Sequence, residues 1–251
     1  MNEEAKCMNF LQSAKKFSKR IDKLKRKNSS GDFTWYGYDS MSNFSHLHRL
    51  FEEDLQGVFF RNRDLPMLDI GAADGDVAYF LDSLGFEVDI FDNPPTNWNG
   101  MQGVRTLKEL LESNVRIFEI DLDNCFELPR DRFGLVLLLG TLYHLKNPYY
   151  VLEKLARQSR EIILSTRIAG FFKQNPSAPM AEIPCAYLLD PDECNNDSTN
   201  YWIFSRAGLI RLLMRTGWTV EKVVVVGDTE ASNPSDGDHD ERAFVYAKSR
   251  Y

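Results

Sequence analysis

The chain has 251 residues, 43% of them hydrophobic and 27% charged, enough for one sizeable core and ordinary for a globular protein. No apolar run approaches the ~18 residues of a membrane span, and the longest, 135–139, reads as a buried strand. The net charge of −7 is uneven: residues 1–27 hold nine Lys or Arg against Glu3, Glu4 and Asp22, a net +6 that leaves −13 on the rest and argues against a broad nucleic-acid surface.

Residues 1–27 read as a helix, of which 9–27 form a solvated amphipathic stretch with Phe10, Phe17, Ile21 and Leu24 on its apolar side, followed by a break at 28–31. A second helix is expected over 45–60. Strands and helices then alternate. A strand at 65–70 leads through a glycine turn into a helix carrying Val77, Phe80, Leu81 and Leu84 and closed by Gly85. A strand at 87–91 is followed by a helix with Val104, Leu107, Leu110 and Leu111, and strands follow at 115–120 and 135–139. Asn147-Pro148 is an N-cap with a first-turn proline, opening a helix before a strand at 161–165. Ser205 caps another helix that stops at Gly217. The strands 219–226 and 242–247 are joined by a polar acidic loop without helix periodicity, so they are expected to pair as an antiparallel hairpin.

This alternation predicts a doubly wound α/β fold. Its sheet is seven-stranded and mostly parallel with a terminal antiparallel hairpin, and a helical extension precedes it. The expected organisation is an N-terminal helical arm and cap over 1–64 and a ligand-binding domain over 65–251. Within that domain, 167–204 is far longer than an ordinary connection and is expected as a lid and acceptor pocket. Ligands of such sheets bind beyond the carboxyl ends of the strands.

The motif at the first strand end is Leu68-Asp69-Ile70-Gly71-Ala72-Ala73-Asp74-Gly75. Gly71 and Gly75 let the backbone approach a ligand, and Ala73 sits where a third glycine is common. A carboxylate at Asp69 would repel a pyrophosphate but suits the ammonium group of S-adenosylmethionine. Asp92, 17 residues after Gly75, is placed for a ribose, with Asn93 beside it, and Asn93-Pro94-Pro95-Thr96 reads as a rigid cofactor-side loop. Asp121-Leu122-Asp123 is placed for an adenine, with Asp121 accepting from the exocyclic amine and Leu122 packing on the ring. Leu139 and Gly140 complete the expected cofactor residues. A dinucleotide such as NAD would also use a glycine turn and a following acid, but no second half with its own glycine turn is present.

From Leu68 onward the chain resembles the class I S-adenosylmethionine-dependent methyltransferases. More narrowly, 139–148 (Leu-Gly-Thr-Leu-Tyr-His-Leu-Lys-Asn-Pro) and 200–205 (Asn-Tyr-Trp-Ile-Phe-Ser) resemble the bacterial transfer-RNA wobble-uridine methyltransferases and carboxymethyltransferases. That resemblance implies that Tyr143 lines the reaction site with His144 close by. The carboxymethyl branch holds a carboxylated cofactor with a lysine near its N-terminal aromatic segment. The comparable stretch here, 33–38, has none, so ordinary S-adenosylmethionine is the expected cofactor. The long basic N-terminal domain of the RNA enzymes is represented only by the short arm.

Methyl transfer is an in-line displacement in which the protein aligns the nucleophile, and a base serves only a protonated oxygen or nitrogen. His144 is the candidate base, with an ordinary pKa of about 6.5, and Tyr143 the candidate orienting group. Arg167, Asn200, Tyr201 and Trp202 are the candidate acceptor-pocket residues. The four cysteines, Cys7, Cys125, Cys185 and Cys194, form no CxxC pair, and no His/Cys/Asp group has ligand spacing near the fourth strand. The chemistry is therefore expected to be metal-independent, in a reducing, cytoplasmic setting and without a secretory leader. The expected function is methylation of a small-molecule acceptor, on oxygen. Two alternatives stay open: a transfer-RNA methyltransferase using the basic arm, and a non-catalytic cofactor-binding partner subunit.

Overall fold

A computed structural model describes residues 3–29, 31–173 and 175–251. Met1 and Asn2 of the expected first helix, Ser30 of the break and Gln174 of the long insertion lie outside the described residues. The chain divides into two compact units, Met1–Asp121 with Arg132–Leu137, and Leu122–Asp131 with Leu138–Tyr251.

In the first unit, α1 (Glu3–Lys27) buries Phe10, Ala14, Phe17 and Ile21, one stripe at helical spacing. The stripe packs on α2 (Asn43–Phe51), α3 (Leu55–Phe60) and α4 (Asp76–Ser83). The Phe10 ring lies 5.9, 5.3 and 5.5 Å from those of Phe44, Phe59 and Phe80, within the range that aromatic pairs prefer. The arm is thus part of this unit's core, while Lys15, Lys16, Lys19, Arg20 and Lys23 stay exposed on its other side. The single helix expected over 45–60 is broken. Glu52 adopts a left-handed φ of 53°, and Glu52–Asp54 form a 3-10 turn between α2 and α3. Three consecutive acids would oppose the negative end of α2's dipole, whereas ahead of α3 they meet a positive end.

Four parallel strands follow: β1 (Met67–Ile70), β2 (Val88–Asp92), β3 (Arg116–Glu119) and β4 (Phe133–Leu139). They lie in the order β4-β1-β2-β3, connected through α4 and α5 (Gln102–Leu111). β1 is buried at every residue, as a parallel strand covered on both faces must be.

The second unit contains α6 (Pro148–Arg157), capped by Asn147 as expected, and β5 (Ser159–Ile168). The long insertion holds four short strands that the sequence pattern did not suggest. β6 (Phe171–Phe172) pairs with β7 (Asn175–Pro179), and β8 (Ala186–Leu188) pairs with β9 (Trp202–Phe204). β9 also adds to β5, at Ile168 and Phe204. Ala169, Met180, Leu189, Cys194 and Ile203 give the insertion a small core of its own. After α7 (Arg206–Arg215), β10 (Trp218–Gly227) and β11 (Glu241–Ser249) form the expected antiparallel hairpin, with β11 also antiparallel to β5. All seven strands read from the sequence form, and the fold class is the one expected. Among the described residues no helix is long and apolar enough to cross a membrane.

Ser205 joins the insertion to α7. It is fully buried, and its hydroxyl accepts the Gly208 N–H at 2.8 Å and the Cys185 N–H at 3.3 Å. Ser205→Ala removes this cap and is expected to lower stability by about 1–2 kcal/mol, read as a shift of the urea midpoint at unchanged m-value.

Candidate functional site

The glycine turn forms where expected, between β1 and α4. Gly71, Ala73 and Gly75 have φ of 66°, 57° and 86°, so the position expected to favour a third glycine is left-handed and Ala73 carries that strain. Gly75 is required by packing as well. A Cβ there would meet Tyr79 Cε2 at 2.7 Å and Val104 Cγ2 at 2.9 Å. Gly71 N–H donates to Phe91 O at 2.9 Å, and Ile120 N–H to Asp92 O at 2.9 Å. These bonds bring Asp69, Asp92 and Asp121 to the carboxyl ends of three neighbouring parallel strands.

The electrostatics differ at each acid. Asp69 is 4% exposed, and its Oδ2 has no hydrogen-bond partner. Burial pushes its pKa up to about 7, and the nearby Asp92 carboxylate adds to the effect. Asp92 is also raised by burial. Donors offset this, with Asn93 N–H at 2.8 Å on Oδ1 and the Asn97 amide at 3.0 Å on Oδ2. Asp121 is exposed. Ala72 is buried in the turn, and Asn93 is half-buried.

A second group of expected residues gathers within the second unit. Gly140 (φ 80°) ends β4, donates its N–H to Ser165 O at 2.9 Å and leads into the 3-10 turn Leu142–His144. The rings of Tyr143 and His144 are 4.2 Å apart, and the Arg242 guanidinium lies 5.8 Å over the Tyr143 ring. Asn195 and Asn196 are both left-handed, which asparagine tolerates, and they reverse the chain so that 197–201 returns beside this turn. Tyr201 N–H then donates to Tyr143 O at 2.8 Å, and the Trp202 indole N–H to Lys146 O at 3.3 Å. His144 Nδ1 lies 3.1 Å from Thr199 O and 3.0 Å from Thr199 Oγ1. Burial holds the His144 pKa below its usual value, while the Thr199 carbonyl and Asp197 oppose the shift.

Arg167 and Asn200 are both buried, Asn200 bonded within the insertion and Arg167 held by the insertion and by the loop before β11. Arg167 Nη1 lies 2.9 Å from Cys194 Sγ, its Nη2 donates to the carbonyls of Asn233 and Asp236, and Asp240 stands 3.2 Å from its Nε. Asn200 donates to Cys194 O at 3.0 Å and leaves its Oδ1 without a partner. Leu122 is buried, Leu139 and Gly140 are half-buried, and Asp123 accepts the Asn147 N–H at 3.0 Å.

No protein-family model and no curated protein sequence matches the chain. Solved structures do. The N-terminal domain of EvdMO1 with S-adenosylhomocysteine bound aligns over 94% of this chain and 97% of its own at 17% identity, with a TM-score of 0.57. The same domain in the presence of S-adenosylhomocysteine and D-fucose aligns over 78% of this chain and 82% of its own, at 19% identity and TM-score 0.55. The glycopeptide N-methyltransferase MtfA, complexed with S-adenosylhomocysteine, covers 77% and 87% at 15% identity and TM-score 0.51. The PH0226 protein of Pyrococcus horikoshii covers 86% and 95% at 16% identity and TM-score 0.53. The chain has a Rossmann-like methyltransferase fold.

A buried network that the sequence pattern does not reveal surrounds the glycine turn. Lys25 Nζ lies 2.9 Å from both Asp74 Oδ2 and Asp76 Oδ2. Burial works against the Lys25 charge, but the Asp76 and Asp74 carboxylates outweigh it and hold its pKa above the ordinary value. Asp74 also accepts from the Asn99 amide at 2.8 Å and from Tyr36 N–H at 3.0 Å, while Tyr36 Oη accepts Trp98 N–H at 2.8 Å. Asn97 donates to Asp92 and to Ala73 O at 3.4 Å, tying the second strand end to the turn. The local signal was present in Asp74 and Asp76 flanking Gly75, but their cation lies about fifty residues earlier on a helix read as solvated.

Proposed function

We propose that the chain is an S-adenosylmethionine-dependent methyltransferase acting on a small-molecule acceptor. The observation that carries the reading is Asp69, a buried carboxylate beside a left-handed glycine turn, with one oxygen unpartnered and its pKa pushed up to about 7. Such a group is under-satisfied until a cation reaches it, and the ammonium of an amino-acid moiety is a fitting one. Asp92, oriented by Asn93 and Asn97, would accept from the ribose hydroxyls. The backbone of Gly71, Ala72, Ala73 and Gly75 would lie along the amino-acid end, and Asp121 would meet the adenine amine. Leu122, Leu139 and Gly140 are assigned to the cofactor by sequence position alone. The cofactor supplies an electrophilic sulfonium methyl.

His144 would take the proton of an acceptor hydroxyl, and Tyr143, Asn200, Tyr201 and Trp202 would orient the acceptor, without a metal. A similar structure obtained in the presence of D-fucose supports a hydroxylated acceptor, and a similar glycopeptide N-methyltransferase supports a non-nucleic-acid acceptor without bearing on the attacked atom. Arg167 joins this list only if ligand binding frees its guanidinium from Asn233 and Asp236.

Calorimetry with S-adenosylhomocysteine tests the cofactor half. Binding by the wild type and a loss of roughly tenfold or more in Asp92→Ala are expected, from the ~1.5–3 kcal/mol of hydrogen bonds to a charged group. No binding by the wild type, or tight binding of NAD instead, would remove the reading.

The exposed basic side of α1 supports a second reading as a transfer-RNA methyltransferase, although the solved structures reported above give no support to the narrower resemblance at 139–148 and 200–205. Deleting residues 1–27 cannot test it, because Phe10, Phe17 and Ile21 would leave the core. Charge reversal of Lys15, Lys16 and Lys19 can. RNA retention with a steep salt slope that flattens in the variant would favour this reading over the first.

A further inference from the structure

We propose that Thr199 and Asp197 fix His144 in the tautomer whose free lone pair is on Nε2, making them positioning residues for the base. The use of that lone pair rests on the proposed methyltransferase reading, but the tautomer itself does not.

The assignment follows from which atoms carry protons. Thr199 O is a carbonyl oxygen and can only accept, so the 3.1 Å contact makes Nδ1 a donor. The 3.0 Å contact to Thr199 Oγ1 agrees, because that hydroxyl has another acceptor. It lies 2.6 Å from Asp197 Oδ1, which also accepts the Thr199 N–H at 2.9 Å. Thr199 therefore points its proton at Asp197 and a lone pair at His144. With Nδ1 protonated, a neutral imidazole has its basic lone pair on Nε2, the ring nitrogen for which the described residues show no hydrogen bond.

The charges around the ring support the same role. Burial and the Arg242 guanidinium favour the neutral ring, while the Thr199 carbonyl and Asp197 favour the cation; the Tyr143 ring lies 4.2 Å away, tilted by 43°. In the proposed reaction one proton would move, from the acceptor hydroxyl to Nε2, as the acceptor oxygen forms its bond to the methyl carbon and the methyl–sulfur bond breaks, its electron pair leaving on sulfur as a neutral thioether. The Nδ1 proton stays where it is. The imidazolium that results keeps its Nδ1–H bonds to Thr199, with the Asp197 charge one hydroxyl away. Asn200 N–H donates to Asp197 O at 3.1 Å and Tyr201 N–H to Tyr143 O, so backbone bonds hold the turn against the histidine.

Nitrogen NMR on protein labelled with ¹⁵N-histidine tests this without an acceptor. The His144 signal is identified by its loss in His144→Gln. At pH 8 the wild type is expected to show the Nδ1–H form alone. Asp197→Asn should lower the His144 titration midpoint by about half a pH unit or more, because a group favouring the cation is gone, and Thr199→Ser should behave as the wild type. An Nε2–H form in the wild type, or an unmoved midpoint in Asp197→Asn with its fold intact by circular dichroism, would overturn the proposal. An Nδ1–H tautomer in a protein that binds no S-adenosylhomocysteine would instead leave this inference standing and remove the methyltransferase reading.

Discussion

Asp69→Asn is expected to stabilise the cofactor-free protein while weakening its hold on S-adenosylhomocysteine. The carboxyl pKa rises from 3.8 to about 7 on folding because the group is buried and the Asp92 carboxylate is nearby, and one of its oxygens has no hydrogen-bond partner. A carboxyl with a raised folded pKa costs nothing at low pH. The cost starts as pH rises through the unfolded value and levels off above the folded one. At 1.36 kcal/mol per pH unit this amounts to ~1.5 kcal/mol at pH 5 and ~4 kcal/mol at pH 8. Asparagine keeps an acceptor for the Ala78 N–H but cannot ionise. The variant should therefore exceed the wild type in urea stability by up to about 4 kcal/mol at pH 8, with a smaller gain at pH 5. The same change removes the charge that meets the ligand's ammonium and should weaken binding by about 10–150-fold, the equivalent of ~1.5–3 kcal/mol. A variant less stable than the wild type at pH 8 would show that the carboxylate is satisfied inside the protein, and undiminished binding would show that the ligand does not use it.

This opposition between stability and binding explains part of what could be read from the sequence. Asp69 stood out because a carboxylate at the end of a buried apolar strand has no structural reason to be there. The strands were legible for a related reason: β4 is a near-continuous apolar run, β5 carries the apolar run Ile162-Ile163-Leu164 at its centre, and the turns between elements carry Gly71, Gly85 and Gly217 at left-handed positions. The break at Glu52 was not legible, because the apolar periodicity of α2 and α3 continues across it and only the local charge run marks it. The insertion was recognisable by length alone. Its strands are two to five residues long and one is proline-bearing, too short for alternation to register. Lys25 was hidden by the opposite problem. Its helix has an obvious polar side, and nothing local distinguishes Lys25, which turns inward to Asp74 and Asp76, from lysines such as Lys19 and Lys23 that are left in solvent. Arg167 looked like an acceptor ligand because it follows a strand end, whereas its partners come from the loop before β11 and from Cys194, far off in sequence.

His144→Asn is expected to lower methyl transfer by about 10²–10⁴, the contribution of a general base. The assay is transfer of a labelled methyl group to hydroxylated small molecules, with S-adenosylhomocysteine affinity measured in parallel. A base acts only when unprotonated, and burial lowers the His144 pKa from 6.5. Wild-type turnover should then be flat through neutral pH and fall only in the acid range below 6.5, as His144 takes up its proton. His144→Asn should lose that acid limb along with the rate. Because His144 is held by Thr199 and is assigned to the acceptor rather than the cofactor, cofactor affinity should change little, so the deficit falls on kcat. Asp69→Asn separates the two roles: it weakens cofactor binding but retains the His144 acid limb once the cofactor is saturating. If His144→Asn turns over at the wild-type rate, the histidine is a structural link to Thr199 and the acceptor needs no base. If instead its rate falls but the acid limb persists, another group supplies the titration and the base assignment moves away from His144.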